Sequence, residues 1–172
     1  MLVDRIDEEE EVVPPQFALS HNAVLVTALV PRRLLVISKM QETGMRPWIW
    51  SDYVWHHPEE FYRRMPKSVL QSNWYYGNDF DVEKMKAAGN ERRAAYVKAY
   101  EDLDKAGFDQ VPTGSNWSCD ENFAGTVKYC RKVCSPERLK GFMMAPWFFT
   151  LPEWEKKNIE AIDLVGASIK AG

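Results

Sequence analysis

The stretch that decides the fold is Gly141-Phe142-Met143-Met144-Ala145-Pro146-Trp147-Phe148-Phe149, a nearly continuous apolar run. Runs of this kind are typical of strands that are buried on both faces of a parallel sheet. Thr150 and Glu153 follow at the spacing of a capping box, which predicts that a helix continues from there to about Lys170. The end of the chain is therefore expected to be one buried strand followed by one helix.

Working outward from this unit, the same strand–helix order recurs three times upstream. Turn residues separate the elements: Pro58 opens one helix, Pro66 ends it, and Gly107 ends the next. Such alternation predicts a parallel sheet with right-handed crossovers. The predicted strands lie near 47–51, 68–75, 108–112 and 141–149. The predicted helices cover about 32–42, 59–65, 90–106 and 121–134, and a last one runs from the cap at Thr150 to about Lys170.

The length of the chain limits how much of a barrel it can form. A complete eight-unit (β/α) barrel takes about 250 residues and rarely fewer than about 200, whereas this chain has 172. The predicted fold class is therefore α/β, a partial (β/α)8 TIM barrel of about four parallel strand–helix units. Residues 1–30 are predicted to be an acidic, irregular N-terminal segment, and residues 31–172 the C-terminal half of the barrel. Open edges of such a half barrel would favour self-association.

Composition excludes several classes of partner. The net charge is −3 and no basic stripe is present, so nucleic acid is not expected as a partner. The apolar run Ala23–Val30 is too short to span a bilayer, and no convincing signal peptide appears, so no membrane partner is predicted and the compartment is not indicated.

The three cysteines, Cys119, Cys130 and Cys134, are too few and odd in number for a disulfide framework. No Cys or His pair completes a metal site with Cys130 and Cys134. His56-His57 precede a predicted helix without a further ligand at suitable spacing. No metal and no other cofactor is therefore expected.

Aromatic and polar residues gather where each predicted strand ends, and every strand end carries a Trp. Sugar rings have apolar C–H faces that flat indoles can cover, while carboxylates, amides and hydroxyls bind the polar rim. Packing of these indoles beneath the helices is the alternative, since Trp is highly buried on average. The residues predicted to bind substrate are Trp50, Asp52, Trp74, Tyr75, Asn116, Trp117 and Trp147.

Three of these strand motifs resemble glycoside hydrolase family 20 and its relatives. Arg46-Pro47-Trp48-Ile49-Trp50-Ser51-Asp52 is similar to a family strand that follows a helix ending in Gly-x-Arg-Pro. Met65-Pro66-Lys67-Ser68-Val69-Leu70-Gln71-Ser72-Asn73-Trp74 resembles the next strand, and Gly141–Trp147 resembles the last barrel strand. The resemblance covers about Arg32 to Lys170.

The resemblance implies a β-N-acetylhexosaminidase-like enzyme, a hydrolase of carbohydrate metabolism that acts by a substrate-assisted retaining mechanism on N-acetylhexosamine-containing glycans. The catalytic Asp-Glu pair of that family would lie upstream of the matched region, and Asp7-Glu8 has no strand before it. The catalytic residues therefore stay unassigned. The chain departs from the family at Ser115-Asn116-Trp117 and at Phe148-Phe149. Two alternatives are a catalytically inactive partial barrel that binds carbohydrate or needs a partner chain and, with less support, a metal-dependent hydrolase barrel.

Overall fold

The computed structural model describes residues 30–171, in which helices and short strands alternate. Two 3-10 turns, at Asp52–Trp55 and Pro152–Trp154, follow the first and last strands. The helices are α1 (Val30–Glu42), α2 (Pro58–Arg64), α3 (Val82–Ala87), α4 (Glu91–Lys105), α5 (Asn122–Val133) and α6 (Glu155–Lys170); the strands are β1 (Trp48–Trp50), β2 (Leu70–Ser72), β3 (Thr113–Gly114) and β4 (Met143–Met144).

The strands pair in parallel, as the alternation predicted. β1 pairs with β2, with Trp48 opposite Leu70, and β3 pairs with β4, with Thr113 opposite Met143. These pairs are two separate two-stranded sheets. Isolated parallel bridges link them, from Gln71 of β2 to Gln110 and from Trp74, just after β2, to Thr113 of β3. The four strands therefore follow one another in chain order, and the predicted α/β class with parallel strands is confirmed.

The strands are shorter than predicted, and the third begins later. The prediction of a strand at 108–112 is only partly met: Gln110 is bridged on both sides, to Gln71 and to Leu139, and β3 itself is Thr113–Gly114. Pro112 has no backbone N–H to donate, which interrupts the ladder at that point. The predicted strand 141–149 is likewise reduced to Met143–Met144, since Pro146 and a left-handed residue, Trp147, follow it.

Two local predictions were incomplete or wrong. Helix α3 lies between the predicted strand 68–75 and the predicted helix 90–106, where no helix is predicted, and Asp81 caps it by accepting the Lys84 N–H at 3.0 Å. The capping box at Thr150 and Glu153 is not formed; a 3-10 turn precedes α6, whose N-cap is Trp154 without a side-chain cap bond. Pro152 is at the start of this turn, where its fixed φ suits helical backbone.

The core lies between the strands and the layer formed by α2 to α5. Phe61, Leu103 and Phe108 form one buried cluster, and Tyr100 and Cys130 belong to another. Helix α5 approaches β3 so closely that a Cβ on Gly114 would meet the Phe123 Cα at 3.0 Å. A glycine at the end of β3 is therefore what permits this contact.

The predictions for the N-terminal segment 1–30, including the acidic run, fall outside the described residues except for Val30, which begins α1. The helix predicted at 32–42 corresponds to α1 and is confirmed. Within residues 30–171, the helices include none that is both long and apolar enough to cross a membrane.

Candidate functional site

Five aromatic side chains meet at the carboxyl ends of β1, β2 and β4. Ring centroids are 6.2 Å apart for Trp50 and Trp147, 6.2 Å for Tyr76 and Trp147, 4.9 Å for Trp74 and Tyr76, and 4.6 Å for Trp55 and Trp74. We call these five residues, Trp50, Trp55, Trp74, Tyr76 and Trp147, the aromatic cluster. It forms one continuous chain of rings from the first strand to the last.

Hydrogen bonds fix one end of the aromatic cluster. The Trp55 indole Nε1 donates to Asn73 Oδ1 at 2.8 Å, and Asn73 Nδ2 donates to the Tyr96 carbonyl at 2.9 Å. The Trp55 ring also stacks on Tyr96 with centroids 3.8 Å apart. Asn73 accepts a hydrogen bond from Trp55 and donates one to the Tyr96 carbonyl, so both ends of its amide are bonded. These bonds fix the Trp55 indole relative to the end of β2.

Trp147 has a left-handed backbone, with φ of 60°. That conformation is uncommon for non-glycine residues and strained for a bulky one. Trp147 is the only non-glycine residue in the described range that has a positive φ. Strained residues of this kind persist where the surroundings impose them and are enriched at functional sites. The strain coincides with the point where Trp147 meets both Trp50 and Tyr76.

Two polar atoms inside the aromatic cluster have unused bonding capacity. The Tyr76 hydroxyl and the Trp147 Nε1 are buried, and within residues 30–171 neither makes a hydrogen bond of ordinary geometry. Burial raises the pKa of Tyr76 far above its usual value, the nearby Trp147 N–H opposes this rise, and the Asp52 carboxylate adds to it. Tyr76 is therefore a neutral phenol at physiological pH, able to donate or accept a hydrogen bond.

Of the seven predicted site residues, Trp50, Trp74 and Trp147 come together in the aromatic cluster. Asp52 begins the 3-10 turn after β1 and lies near enough to Tyr76 for its charge to act on that hydroxyl. The structure therefore confirms that Trp50, Trp74 and Trp147 lie together. That they and Asp52 bind a substrate stays a prediction.

Tyr75 does not reach this surface, which corrects its predicted placement. It is 5% exposed and packs in the core with Met85, Val97 and Tyr100 on the helix side. In extended backbone, neighbouring side chains point to opposite faces, whereas residues two apart share a face. Trp74 and Tyr76 therefore lie together, and Tyr76 is the tyrosine that sequence interpretation should have chosen.

Asn116 and Trp117 follow β3, but the structure gives them no ring contact or hydrogen bond with the aromatic cluster in the described part of the chain. Asn116 is 3% exposed, and its Nδ2 donates to the Lys157 carbonyl at 3.1 Å while its buried Oδ1 has no hydrogen-bond partner there. Trp117 is 59% exposed. These two residues therefore lie just after β3 but do not belong to the aromatic cluster.

Asn122, which sequence interpretation missed, connects the loops that carry the site. Its Oδ1 accepts the Ser115 N–H at 2.8 Å, and its Nδ2 donates to the carbonyls of Tyr75, at 2.8 Å, and Gly77. The side chain is fully buried at the start of α5. One amide therefore satisfies backbone groups from the loops after β2 and β3 and sets their separation. An Asn beside the start of a helix was the available signal, but its partners are 7 to 47 residues away in sequence.

Metal-binding geometry is not seen in the described residues: within 30–171, no three His, Cys, Asp or Glu side chains are grouped to hold an ion. His56 and His57 are exposed, and the His57 ring lies 4.5 Å from Tyr53. Cys130 and Cys134 are free thiols buried in the core, where burial raises the pKa of Cys130 well above its usual value.

The amino ends of the strands, at the opposite end from the aromatic cluster, border a cavity of about 460 Å³. The Arg46 guanidinium lines it and donates to Asp109 Oδ2 at 2.7 Å, and the Lys140 ammonium lies 3.6 Å from the same oxygen. The ion pairs there link the starts of β1, β3 and β4.

Comparisons of this chain with protein-family models, with curated proteins and with solved structures found no match.

Proposed function

We propose that this chain is the C-terminal half of a (β/α)8 barrel of the glycoside hydrolase type and binds N-acetylhexosamine-containing glycans through the aromatic cluster. The observation that carries the proposal is the convergence of Trp50, Trp74 and Trp147 at the carboxyl ends of parallel strands. In (β/α) barrels this end carries the functional site. The similarity of the strand motifs to family 20 adds the substrate class.

The chemistry of the cluster suits a sugar. Indole faces cover the C–H face of a pyranose ring, and a neutral hydroxyl beside an indole N–H can bind its hydroxyl groups. Tyr76 and Trp147 bring these two polar groups to the same place, where the Trp147 N–H acts on the Tyr76 hydroxyl oxygen and the hydroxyl keeps a proton to donate. A ligand that accepts this proton would remove the cost of leaving it without a partner.

Binding without hydrolysis is the second candidate, and one observation favours it. Asp52 is the carboxylate whose charge acts on the cluster, and no Asp-Glu pair stands at the ends of β1 to β4 in residues 30–171. Glycoside hydrolysis needs a general acid, which contributes about 10²–10⁴-fold to the rate. An inactive partial barrel that binds carbohydrate, or that receives its acid from a partner chain, accounts for this arrangement.

Titration of the full chain with N-acetylglucosamine oligosaccharides, followed by intrinsic tryptophan fluorescence and by calorimetry, tests the proposal. Trp147→Ala and Trp50→Ala are expected to weaken binding about tenfold each, the effect of losing about 1.4 kcal/mol of ring contact. Trp154→Ala is the matched control, since that indole stacks on Phe148 at 5.2 Å outside the cluster.

No saturable binding by the folded wild-type chain would overturn the proposal. Equal loss in Trp154→Ala and Trp147→Ala would show that the effect is a general loss of packing rather than a loss of ligand contact. Glucose oligosaccharides binding as tightly as their N-acetylated counterparts would reject the substrate class while leaving the carbohydrate site.

A further inference from the structure

Charged side chains gather where the chain enters the strands, at the end opposite the aromatic cluster. Arg46 leads into β1, Lys67 lies in the turn before β2, Asp109 precedes β3, and Lys140 precedes β4. Each of these segments therefore supplies one charged residue. Arg46, Lys67 and Asp109 line the cavity of about 460 Å³, and the Lys140 ammonium adjoins Asp109.

The Arg46 guanidinium is held in place and still has donors to spare. Its Nε donates to the Ser68 carbonyl at 3.0 Å, and its Nη2 donates to Asp109 Oδ2 at 2.7 Å. A guanidinium has five N–H donors in a fixed plane, and within residues 30–171 the others have no protein acceptor. Such a fork matches the spacing of phosphate oxygens.

Lys67 is a cation without a carboxylate partner in the described part of the chain. Its ammonium lies 3.7 Å from the centroid of the Phe108 ring, and within residues 30–171 it makes no ion pair or hydrogen bond. Burial lowers the pKa of Lys67, because desolvation disfavours the charged form. The ring holds the ammonium beside the cavity without neutralising it, so its N–H donors stay available to an anion.

Positive charge is in excess around this cavity. The Asp109 carboxylate pairs with the Arg46 guanidinium, and the Lys140 ammonium lies 3.6 Å from the same oxygen. With Lys67, three positive charges and one negative charge leave an excess of two, although the whole chain has a net charge of −3. An ion pair that stabilises the fold accounts for Asp109 and its partners but not for Lys67. Clefts lined by charges of one sign concentrate counter-ions.

We propose that this cavity binds the dianionic phosphate group of a small phosphate monoester. Arg46 donates to two phosphate oxygens, and Lys67 and Lys140 act as point charges. The Ser68 hydroxyl lines the same cavity, accepts a hydrogen bond from Gln41 Nε2 and keeps its proton for a further acceptor.

The charge and the size of the cavity both suit this ligand. A phosphate monoester has a charge of about −1.5 to −2 at pH 7, which matches the excess of two positive charges. A carboxylate, with a single charge, is the poorer match. Cavities of about 300–1,000 Å³ hold small molecules, so the organic part of the monoester also has room. The site lies at the opposite end from the aromatic cluster, so it goes beyond the proposed function and does not depend on it.

Calorimetric titration of the full chain with inorganic phosphate and with glycerol 3-phosphate tests the proposal. Glycerol and sodium chloride at matched ionic strength are the controls, since salt screens charges without occupying a site. Saturable binding of both phosphates is expected, and each is expected to raise the Tm once its concentration passes the Kd. A rise in Tm no larger than that in sodium chloride would overturn the proposal.

Substitutions in the cavity are expected to change phosphate affinity in opposite directions. Lys67→Gln and Lys140→Gln are each expected to weaken binding about tenfold, the effect of losing one charge-assisted contact. Asp109→Asn is expected to bind phosphate more tightly, because it removes the one carboxylate while its amide oxygen still accepts from Arg46. A general loss of packing does not produce a gain of affinity, so this pair of results separates a binding site from a structural role.

Lys84→Gln is the matched control and is expected to bind phosphate like the wild type. Lys84 of α3 pairs with Asp79 at 2.9 Å and does not line the cavity. Equal weakening in Lys84→Gln and Lys67→Gln would overturn the proposal, since it would indicate attraction to surface charge in general.

Two further outcomes would also overturn it. One is the absence of saturable binding of either phosphate by the folded wild type up to about 10 mM. The other is unchanged or weaker binding by an Asp109→Asn chain that retains the wild-type far-UV circular dichroism. If Lys67→Gln does not fold, Lys140→Gln tests the same charge at an exposed side chain.

Discussion

Replacement of Asn122 by Ala tests whether one buried amide holds the site loops together. The substitution removes three hydrogen bonds, to the Ser115 N–H and to the carbonyls of Tyr75 and Gly77, and leaves these backbone groups unsatisfied. Each such bond contributes a net ~0.5–1.5 kcal/mol, so the free energy of unfolding is expected to fall by about 3 kcal/mol. For a domain of this size, that corresponds to a decrease in Tm of about 6–12 °C.

Urea denaturation, followed by circular dichroism and by tryptophan fluorescence, gives the measurement. Asn78→Ala is the matched control, because Asn78 is an exposed residue of the loop after β2, and such substitutions change stability by less than about 0.5 kcal/mol. Glycan affinity of Asn122→Ala is also expected to fall, since the loops that it joins begin at Tyr75 and Ser115. A loss of stability no larger than that of Asn78→Ala would refute the assignment of Asn122 as the link between the loops.

Three further outcomes follow from the same geometry. Trp147→Gly is expected to be more stable than Trp147→Ala by about 1–2 kcal/mol, because φ at this position is 60° and only glycine adopts that conformation without strain; the opposite order in urea melts would show that the backbone there is not left-handed. Burial raises the pKa of Tyr62 and of Tyr129 to about 12, whereas tyrosines of an unfolded chain ionise near 10. The folded state therefore holds these protons longer, so stability should fall as pH rises from about 10 to about 12. The phenolate absorbance that is lost in a Tyr62→Phe, Tyr129→Phe variant should appear near pH 12 rather than near pH 10; ionisation of both groups near pH 10 in the folded chain would contradict their burial. The purified chain is expected to show no turnover of an aryl N-acetylglucosaminide above background, and robust turnover abolished by one Glu substitution would reveal a general acid.

The sequence by itself determined the alternation of strands and helices and the parallel pairing. Apolar runs such as Gly141–Phe149, separated by helix caps and turn residues, predict strands joined by crossovers from local periodicity alone. The strand and its parallel pairing are confirmed, but the expected burial on both faces is wrong, because β4 covers only Met143–Met144 and both residues are half-buried. The sequence also indicated that Trp50, Trp74 and Trp147 come after strands at the same end, since parallel strands all end on one side.

The tertiary structure alone decided which residues meet. The missing donor of Pro112 was visible in the sequence, but the end of the last strand was not, because it depends on the left-handed backbone of Trp147 that turns the chain out of the sheet. Tyr76 replaced Tyr75 in the cluster because a shift of one residue in extended backbone reverses the face, and apolar content does not distinguish two adjacent tyrosines. Asn122 donates to a carbonyl that lies 47 residues before it in the chain. Contacts across such distances are made by packing the helices on the strands, and no local pattern specifies them.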